Sequence, residues 1–275
     1  MSKAVFSTVR GAFAGLAVAA ATLTLSGCGS SDDDKNYVEQ PVELLYNRAL
    51  DDLGTQNYKA AAKGFEEVDR QHPYSVWATK AQIMAAFAYY QSNKYDEAII
   101  ALDRFIQLHP GHRDIPYAYY LKALCFYEQI SDVGRDQRVT QQALDALAEV
   151  VKRFPESPYA RDARLKVELA IDHLAGKEMA VGRYYQSNQQ YVGAINRYRV
   201  VIERYQTTTH VPEALHRLVE CYLSLGVKTE AQETAAVLGY NFPGSEWYQD
   251  SYYLMTGEGS PAPSDEKRGW FFGLF

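Results

Sequence analysis

Tyr58-Lys59-Ala60-Ala61 recurs 37 residues later as Tyr95-Asp96-Glu97-Ala98, and Tyr191-Val192-Gly193-Ala194 is followed at the same offset by Thr229-Glu230-Ala231. A weaker copy, Thr140-Gln141-Gln142-Ala143, lies between the two pairs. Almost no stretch of the chain alternates apolar and polar residues as a half-buried strand would, so the repeated segments are predicted to be helical. Self-similarity at a period of this size indicates an array of stacked structural units.

Three further features recur at fixed distances from the alanine that ends each copy. A proline follows by twelve residues in four copies, at Pro73, Pro110, Pro155 and Pro243. A large side chain follows by four residues, at Phe65, Leu102, Leu147 and Tyr198. A tyrosine precedes by nine residues in three copies, at Tyr89, Tyr185 and Tyr222. Because proline ends a helix and alanine lets two helices approach closely, each copy is predicted to be the second helix of a hairpin.

This spacing resembles the tetratricopeptide repeat, a helix-turn-helix unit of about 34 residues, with three extra residues between units. Five units are predicted, and two of the intervals between them are long. The excess in the third unit lies in a polar loop over residues 131–136, and the fourth unit begins with a long helix from about Pro158 to Asn188. A last helix over residues 245–256 would cap the stack. The predicted fold is therefore all-α, a tetratricopeptide-repeat superhelix of five units with a concave side and a C-terminal capping helix.

The first 28 residues have the pattern of a bacterial lipoprotein signal. Lys3 and Arg10 precede an uncharged apolar run over residues 11–25, and the small residues Ser26 and Gly27 stand directly before Cys28. The alternative is an ordinary signal peptide with a chance cysteine. The predicted organisation is a signal peptide over 1–27, a lipidated Cys28 with a flexible linker over 28–40, the repeat array over 41–257 and a flexible tail over 258–275.

Acyl chains on Cys28 would hold the mature chain at a membrane surface, since each buried methylene contributes about 0.8 kcal/mol. Gly29 and Ser30 follow the cysteine. Lipoproteins that stay at the inner membrane resemble one another in having aspartate there, so the resemblance implies an outer-membrane destination. We expect the periplasmic face of that membrane.

The charge balance argues against a nucleic-acid partner. The chain has 28 Lys and Arg against 34 Asp and Glu. Two of the bases lie in the predicted signal peptide, so the mature chain carries a net charge of −8. Nucleic-acid binding requires a basic face.

Cys125 and Cys221 are the two cysteines besides Cys28, and both lie in apolar helical patterns two units apart. Stacked units would hold them beyond the ~7 Å limit between Cα atoms that a disulfide tolerates. We therefore predict two buried free thiols.

Residues suited to catalysis or metal binding are few. His109, His112 and Asp114 are close in sequence, but they do not match the four-ligand spacing of a structural zinc site. We expect them to be loop residues, with Asp114 capping a helix that starts near Pro116. No glycine-rich phosphate loop or nucleophile elbow is present. We predict that the chain is not an enzyme. We also predict that it carries no metal and no cofactor other than the lipid on Cys28.

The first helices of tetratricopeptide units supply most of the inner face of such an array. The predicted spacing places one group of mostly aromatic residues on that face: Tyr46, Lys80, Phe87, Tyr90, Tyr117, Tyr120, Leu124 and Tyr127. An aromatic-rich groove can take an extended peptide or a partner helix. The alternative is that these side chains only fill the space between helices.

The tail after residue 257 has two parts. Residues 258–264 have the composition of a flexible linker, and residues 270–275 contain five large apolar side chains. We predict a docking element for a partner or for the membrane interface, built on Trp270, Phe271, Phe272 and Phe275. The alternative is that the tail folds back on its own array.

Several segments of the array are similar to the BamD family, the outer-membrane assembly lipoproteins of the β-barrel assembly machinery. The similar segments are residues 81–90, 95–98, 103–106, 109–112, 117–120 and 184–197. The likeness covers roughly residues 20 to 245, and the aromatic tail departs from the family pattern. The resemblance implies a scaffold and not a catalyst.

The resemblance also implies partners. In the family, the amino-terminal repeats recognise unfolded outer-membrane proteins, the carboxy-terminal repeats dock the periplasmic domains of BamA, and the lipoprotein BamC lies along the array. Arg197, with Asn196 beside it, matches the family position that faces an acidic side chain of BamA. The alternative is that Arg197 is a solvated helix charge.

Two other functions remain open from the sequence. The chain could be a repeat lipoprotein that serves another envelope machine, in polysaccharide export or pilus-secretin assembly. It could also be a cell-wall enzyme or its accessory, although no acid–base pair of carboxylates is recognisable.

Overall fold

The computed structural model describes residues 39–258, and all regular structure in that range is helical. Its helices are α1 (Val42–Gly54), α2 (Tyr58–Gln71), α3 (Val76–Gln91), α4 (Tyr95–Leu108), α5 (Ile115–Tyr127), α6 (Arg138–Arg153), α7 (Pro158–Ser187), α8 (Tyr191–Arg204), α9 (Val211–Ser224), α10 (Lys228–Asn241) and α11 (Glu246–Thr256). The long first helix of unit four, the polar loop before α6 and the last helix are therefore confirmed.

Each helix packs against the next one along the chain, so that α1 to α10 form five hairpins and α11 follows them. First helices of neighbouring units also touch, because α3 contacts α1 and α5, α5 contacts α7, and α11 contacts α9. The prediction of an all-α array of five units with a capping helix is confirmed.

The alanine of each repeat lies where the second helix meets its neighbours. All five alanines, and the large residues four positions later in units one to four, are fully buried. A third position, seven residues after the alanine, is equally buried and was not singled out from the sequence. It holds Val68, Phe105, Val150, Val201 and Leu238. Three positions at helical spacing thus form one buried face of the second helix in units one to four, and two of these positions are buried in α10.

The turn inside a hairpin has the same backbone form in four units. The residue five positions before the alanine is left-handed, with φ of 61° at Gln56, 58° at Asn93, 60° at Gln189 and 77° at Gly226. The next residue then donates its backbone N–H to the carbonyl five residues back, as Lys94 does to Tyr89 at 2.9 Å and Gln190 does to Tyr185 at 2.9 Å. The recurring tyrosine is therefore the residue whose carbonyl closes the turn.

Glycine at this turn position is expected to stabilise the chain where another residue now stands. An L-residue in the left-handed region is strained by roughly 1 kcal/mol, and glycine is not. Gln189→Gly should therefore raise the free energy of unfolding by about 0.5–1 kcal/mol in a urea titration. Gln190→Gly, one residue later at φ −89°, is the matched control and should give no gain. An equal gain from both variants would contradict the turn assignment.

Cys125 and Cys221 are free and buried, as expected. Burial raises the pKa of each thiol to about 12. Thiolate is the reactive form of cysteine, so both side chains act as small apolar core residues.

Asp114 occupies the N-cap position of the fifth helix, as predicted, but the expected capping by its side chain was wrong. The helix begins at Ile115, and the Asp114 side chain makes no capping hydrogen bond. Its carboxylate oxygens lie instead 3.5 Å from Arg113 Nε and 3.7 Å from His112 Nδ1. Side-chain caps do form at Ser75, whose Oγ accepts from Ala78 N at 3.0 Å, and at Ser245, whose Oγ accepts from Trp247 N at 3.2 Å.

Helix α7 spans 30 residues without a break, and its two halves pack against different units of the array. Its first half contacts unit three, where Tyr120 of α5 donates to Asp162. Its second half contacts units four and five, where Arg183 pairs with Glu213 of α9 at 2.9 Å. One helix therefore joins the two parts of the array.

Candidate protein-binding surfaces

Five tyrosines on α3, α5 and α7 form a cluster of half-buried rings, named here the tyrosine surface: Tyr90, Tyr117, Tyr120, Tyr127 and Tyr159. The rings of Tyr120 and Tyr159 stack with centroids 5.2 Å apart, and the ring of Tyr117 lies 5.4 Å from that of Tyr159. The contacts between the first helices of units two, three and four bring these residues together. The sequence pattern identified four of the five and missed Tyr159, which lies at the start of the long helix.

Acidic side chains from neighbouring helices bind two of the hydroxyl groups. Tyr120 donates to Asp162 Oδ2 at 2.5 Å, and Tyr90 donates to Glu128 Oε1 at 3.4 Å. Lys166 Nζ lies 2.9 Å from Asp162 and 5.4 Å from the centre of the Tyr127 ring. A cation near a ring face is attracted to it, so Lys166 links the acid to the aromatic cluster.

The phenols of Tyr90, Tyr117 and Tyr120 stay neutral at physiological pH. Burial is the largest cause that raises the pKa of Tyr90 and of Tyr117 to about 12, and it also raises the pKa of Tyr120, helped by Asp162. The hydrogen bond from Tyr120 in turn lowers the pKa of Asp162. The surface thus offers aromatic area and neutral hydroxyls, which suit contacts with a polypeptide.

The remaining residues predicted for the groove lie elsewhere. Tyr46 is only 8% exposed, between Phe65 and Trp77 with ring centroids at 5.4 Å and 4.8 Å, so it is a core residue and its placement in the groove is corrected. Lys80 is exposed at the same end of the array, with Nζ 5.3 Å from the Trp77 ring centre.

Phe87 and Leu124 are partly buried against the core that holds Leu102 and Phe105. Tyr90 and Tyr117 pack on the same core.

Arg197 already has a partner within the chain. Its Nη1 lies 3.1 Å from Glu178 Oε2 of α7, and its side chain is 43% exposed. Asn196 beside it is exposed, whereas Ile195 and Tyr198 are buried. A guanidinium has five donors, so Arg197 can bind a second carboxylate while it keeps Glu178.

A network of charged residues joins α7, α9 and α11, and sequence reasoning missed it. Arg217 lies 3.5 Å from Glu213 and 3.0 Å from Glu220, with its guanidinium 5.4 Å from the Trp247 ring centre. His216 Nε2 is 3.5 Å from Glu220. Burial on its own raises the pKa of Glu220, but the hydrogen bond and charge of His216, with Arg217 and Gln186, outweigh it and lower that pKa to about 2. The spacing of three and four residues on α9 is the signal that could have found the network.

Ser251 Oγ lies 2.8 Å from His216 Nδ1, which gives a Ser–His–Glu arrangement with Glu220. Ser251 is fully buried and His216 is 4% exposed, so a substrate cannot reach the hydroxyl. The group ties α11 to α9 and is structural.

No cluster of three or more His, Cys, Asp or Glu within residues 39–258 has a geometry that could hold a metal ion. His109 Nε2 instead lies 3.0 Å from Gln82 Oε1. In the same part of the chain, no helix combines the length and the hydrophobicity needed to span a bilayer.

Two of the predicted sites fall outside the described residues. They are the lipidation site at Cys28 and the aromatic tail residues Trp270, Phe271, Phe272 and Phe275. Their roles stay predictions.

The family model YfiO, described as an outer membrane lipoprotein, matches residues 38–238, which is almost the whole array. The chain belongs to the YfiO family. Its curated relatives carry the name outer membrane protein assembly factor BamD. The relative from Caulobacter vibrioides is 53% identical over 85% of this chain and 77% of its own length. The relative from Rickettsia prowazekii is 45% identical over 85% of this chain and 92% of its own length. The relative from Neisseria meningitidis serogroup A is 37% identical over 81% of this chain and 89% of its own.

These relatives confirm the family that the sequence resembled. Membership of this family also indicates association with the outer membrane. The same names favour outer membrane protein assembly over polysaccharide export, secretin assembly or cell-wall chemistry.

Proposed function

We propose that this YfiO-family chain is an outer membrane protein assembly factor that acts as a scaffold and not as an enzyme. It is anchored by lipid on Cys28 at the periplasmic face of the outer membrane and brings unfolded outer-membrane proteins to BamA. The observation that carries the proposal is the 53% identity to a BamD over 85% of the chain. The buried alanine face of every repeat lies within the matched region, so the array itself is part of the likeness.

Clients bind at the tyrosine surface in this proposal. Stacked rings such as Tyr120 and Tyr159 give an extended segment broad apolar contact at little cost in side-chain entropy. The hydroxyls of Tyr120 and Tyr90 are hydrogen-bonded to Asp162 and Glu128. Each hydroxyl and each carboxylate can bond to the backbone of a client instead. Such contacts hold a client weakly, which suits a protein that must pass it on.

BamA docks on the face of α8 that carries Asn196 and Arg197. The exposed part of the Arg197 guanidinium binds an acidic side chain of BamA, and Glu178 holds the arginine in position from behind. BamC and other assembly lipoproteins bind elsewhere along the array. The lipid on Cys28 raises the effective concentration of the whole scaffold near BamA.

Photo-crosslinking in intact cells tests both surfaces. A benzophenone amino acid at position 120 is expected to capture unfolded outer-membrane proteins, and one at position 197 to capture BamA. Tyr184 on α7, which is 67% exposed, provides the matched control position for an aromatic probe. Client capture at position 120 that does not exceed capture at position 184 would remove the tyrosine surface from the proposal.

A pair of variants separates docking by Arg197 from its internal ion pair. Arg197→Ala should weaken BamA binding at least tenfold, because a charge-assisted contact across the interface is lost. Glu178→Gln breaks the same internal pair but keeps the guanidinium, so its loss of BamA affinity should be much smaller than that of Arg197→Ala. Equal losses in both variants would show that the pair only supports α8.

A further inference from the structure

Two clefts open on either side of Leu169 in the middle of α7. The first, of about 540 Å³, lies between the α7 residues 165–172 and the turn Thr207–Thr209 that precedes α9. The second, of about 460 Å³, lies between Leu169, His173 and the loop 130–133 that precedes α6. Leu169 lines both, so the two clefts form one continuous surface, named here the α7 clefts.

The α7 clefts expose apolar side chains. Leu165 is 56% exposed and Leu169 is 58% exposed, although both belong to the helix that joins the two parts of the array. They are four residues apart and so lie on one face of the helix. Adjacent exposed leucines beside two clefts of this volume are typical of a docking surface.

Apart from His173, the side chains that line the two clefts and can be charged at neutral pH are acidic. The linings contain the carboxylates of Glu128, Asp132, Glu168 and Asp172 and no lysine or arginine. Asp172 lies 3.6 Å from His210 and accepts a hydrogen bond from Thr209 at 3.2 Å. Glu168 is exposed and makes no hydrogen bond or ion pair within residues 39–258. The clefts therefore fit a segment that is both apolar and positively charged.

The chain contains such a segment. Residues 267–275 read Lys-Arg-Gly-Trp-Phe-Phe-Gly-Leu-Phe, with two bases and no acidic side chain, and a linker over 258–266 precedes them. Asp265 and Glu266 end that linker. We propose that residues 267–275 dock intramolecularly in the α7 clefts, with Lys267 and Arg268 against Glu168 and Asp172 and the aromatic side chains against Leu165 and Leu169.

The linker is long enough for this contact. Ser251 of α11 is fixed to His216 of α9 by a 2.8 Å hydrogen bond, and Thr209 lies seven residues before His216. With a rise of about 1.5 Å per helical residue and about 10 Å between helix axes, Gly257 is at most roughly 30 Å from Thr209. The thirteen residues from Gly257 to Trp270 extend to about 43 Å, so the aromatic residues can enter the clefts.

Peptide competition tests the proposal on the mature chain with Cys28→Ala, which removes the lipid. The probe is a fluorescein-labelled synthetic peptide of residues 267–275. A variant lacking residues 259–275, which keeps every described helix, should bind the peptide with a Kd at least tenfold lower than the full chain does. The reason is that the full chain presents its own tail at an effective concentration of about millimolar. Raising the salt concentration should weaken the binding.

Surface variants in the tail-deleted chain locate the binding site. Leu165→Ser with Leu169→Ser should weaken peptide binding at least tenfold, and Glu168→Lys should weaken it as well. Leu108→Ser is the matched control, because Leu108 of α4 is also 56% exposed. In the full chain, a carbodiimide should join Lys267 to Glu168 or Asp172 within one molecule, as read by mass spectrometry at low protein concentration.

Three results would overturn the proposal. Equal peptide affinity of the full and tail-deleted chains would show that the tail does not occupy the site. Equal affinity of the Leu165/Leu169 and Leu108 variants would place the peptide elsewhere. Co-sedimentation of the Cys28→Ala chain with phosphatidylethanolamine–phosphatidylglycerol vesicles that depends on residues 259–275 would assign the tail to the membrane.

Discussion

Gly182→Ala is expected to lower the free energy of unfolding by about 1–2 kcal/mol, because an overpacking cost near the upper end of about 1–3 kcal/mol exceeds the gain of about 1 kcal/mol from alanine as the better helix former. A Cβ atom at this position of α7 would lie 2.4 Å from Tyr198 Cε1 and 2.8 Å from Cδ1. Tyr198 is fully buried, and its hydroxyl donates to Gln186 Oε1 at 2.7 Å. The ring cannot move away without losing that bond and disturbing the core.

Guanidinium unfolding followed by circular dichroism measures the effect. Gly54→Ala is the control, because nothing lies within 4 Å of a Cβ at Gly54. Tyr198→Leu shortens the opposing side chain, so the loss caused by Gly182→Ala should be smaller in that background than alone. A Gly182→Ala chain that unfolds at the same denaturant concentration as the parent would contradict the close approach of α7 and α8.

Arg217→Met should also destabilise the chain strongly, by about 3–5 kcal/mol, because it removes the cation between two poorly exposed carboxylates. The side chain of Arg217 is 18% exposed and those of Glu213 and Glu220 are 14% and 26% exposed. Methionine keeps much of the volume of arginine but carries no charge. The negative charges of Glu213 and Glu220 are then less well neutralised. Since the network holds α11 on α9, the capping helix should separate first.

Arg199→Met is the matched control, because Arg199 pairs with Glu203 at the surface with both side chains more than half exposed. It should change the stability by less than about 0.5 kcal/mol. The pH dependence gives a second readout. The pKa of Glu220 is depressed to about 2, so its contribution is fully present above the ordinary glutamate value and is lost as the pH falls towards 2. The loss of stability at low pH should be smaller in Arg217→Met than in the parent chain. Equal changes in stability in Arg217→Met and Arg199→Met would contradict the charged network.

The helical hairpins could be predicted because their determinants are local and repeated. Ala98, with Leu102 four positions later and Pro110 twelve positions later, defines a buried face and an end by spacing alone. The left-handed turn residues could not be found in this way, because three of the four are not glycine. Only the backbone shows that the carbonyl at the position of Tyr89 closes the turn.

The surfaces were only partly predictable, because exposure depends on contacts between units. Tyr46 and Tyr120 occupy similar positions in their repeats, yet Trp77 covers the first ring and leaves it in the core. Arg197 was identified by resemblance, but its partner Glu178 is 19 residues away on another helix. Long-range pairs of this kind leave no periodic signal in the sequence.

Because α7 is unbroken, it fixes the distance between the two proposed binding regions. Tyr159 near its start belongs to the tyrosine surface, and Glu178 in its second half pairs with Arg197. Nineteen residues at about 1.5 Å each set these points roughly 29 Å apart along a single rigid axis. A client and BamA held at the two points are therefore kept at a constant separation, whichever protein arrives first.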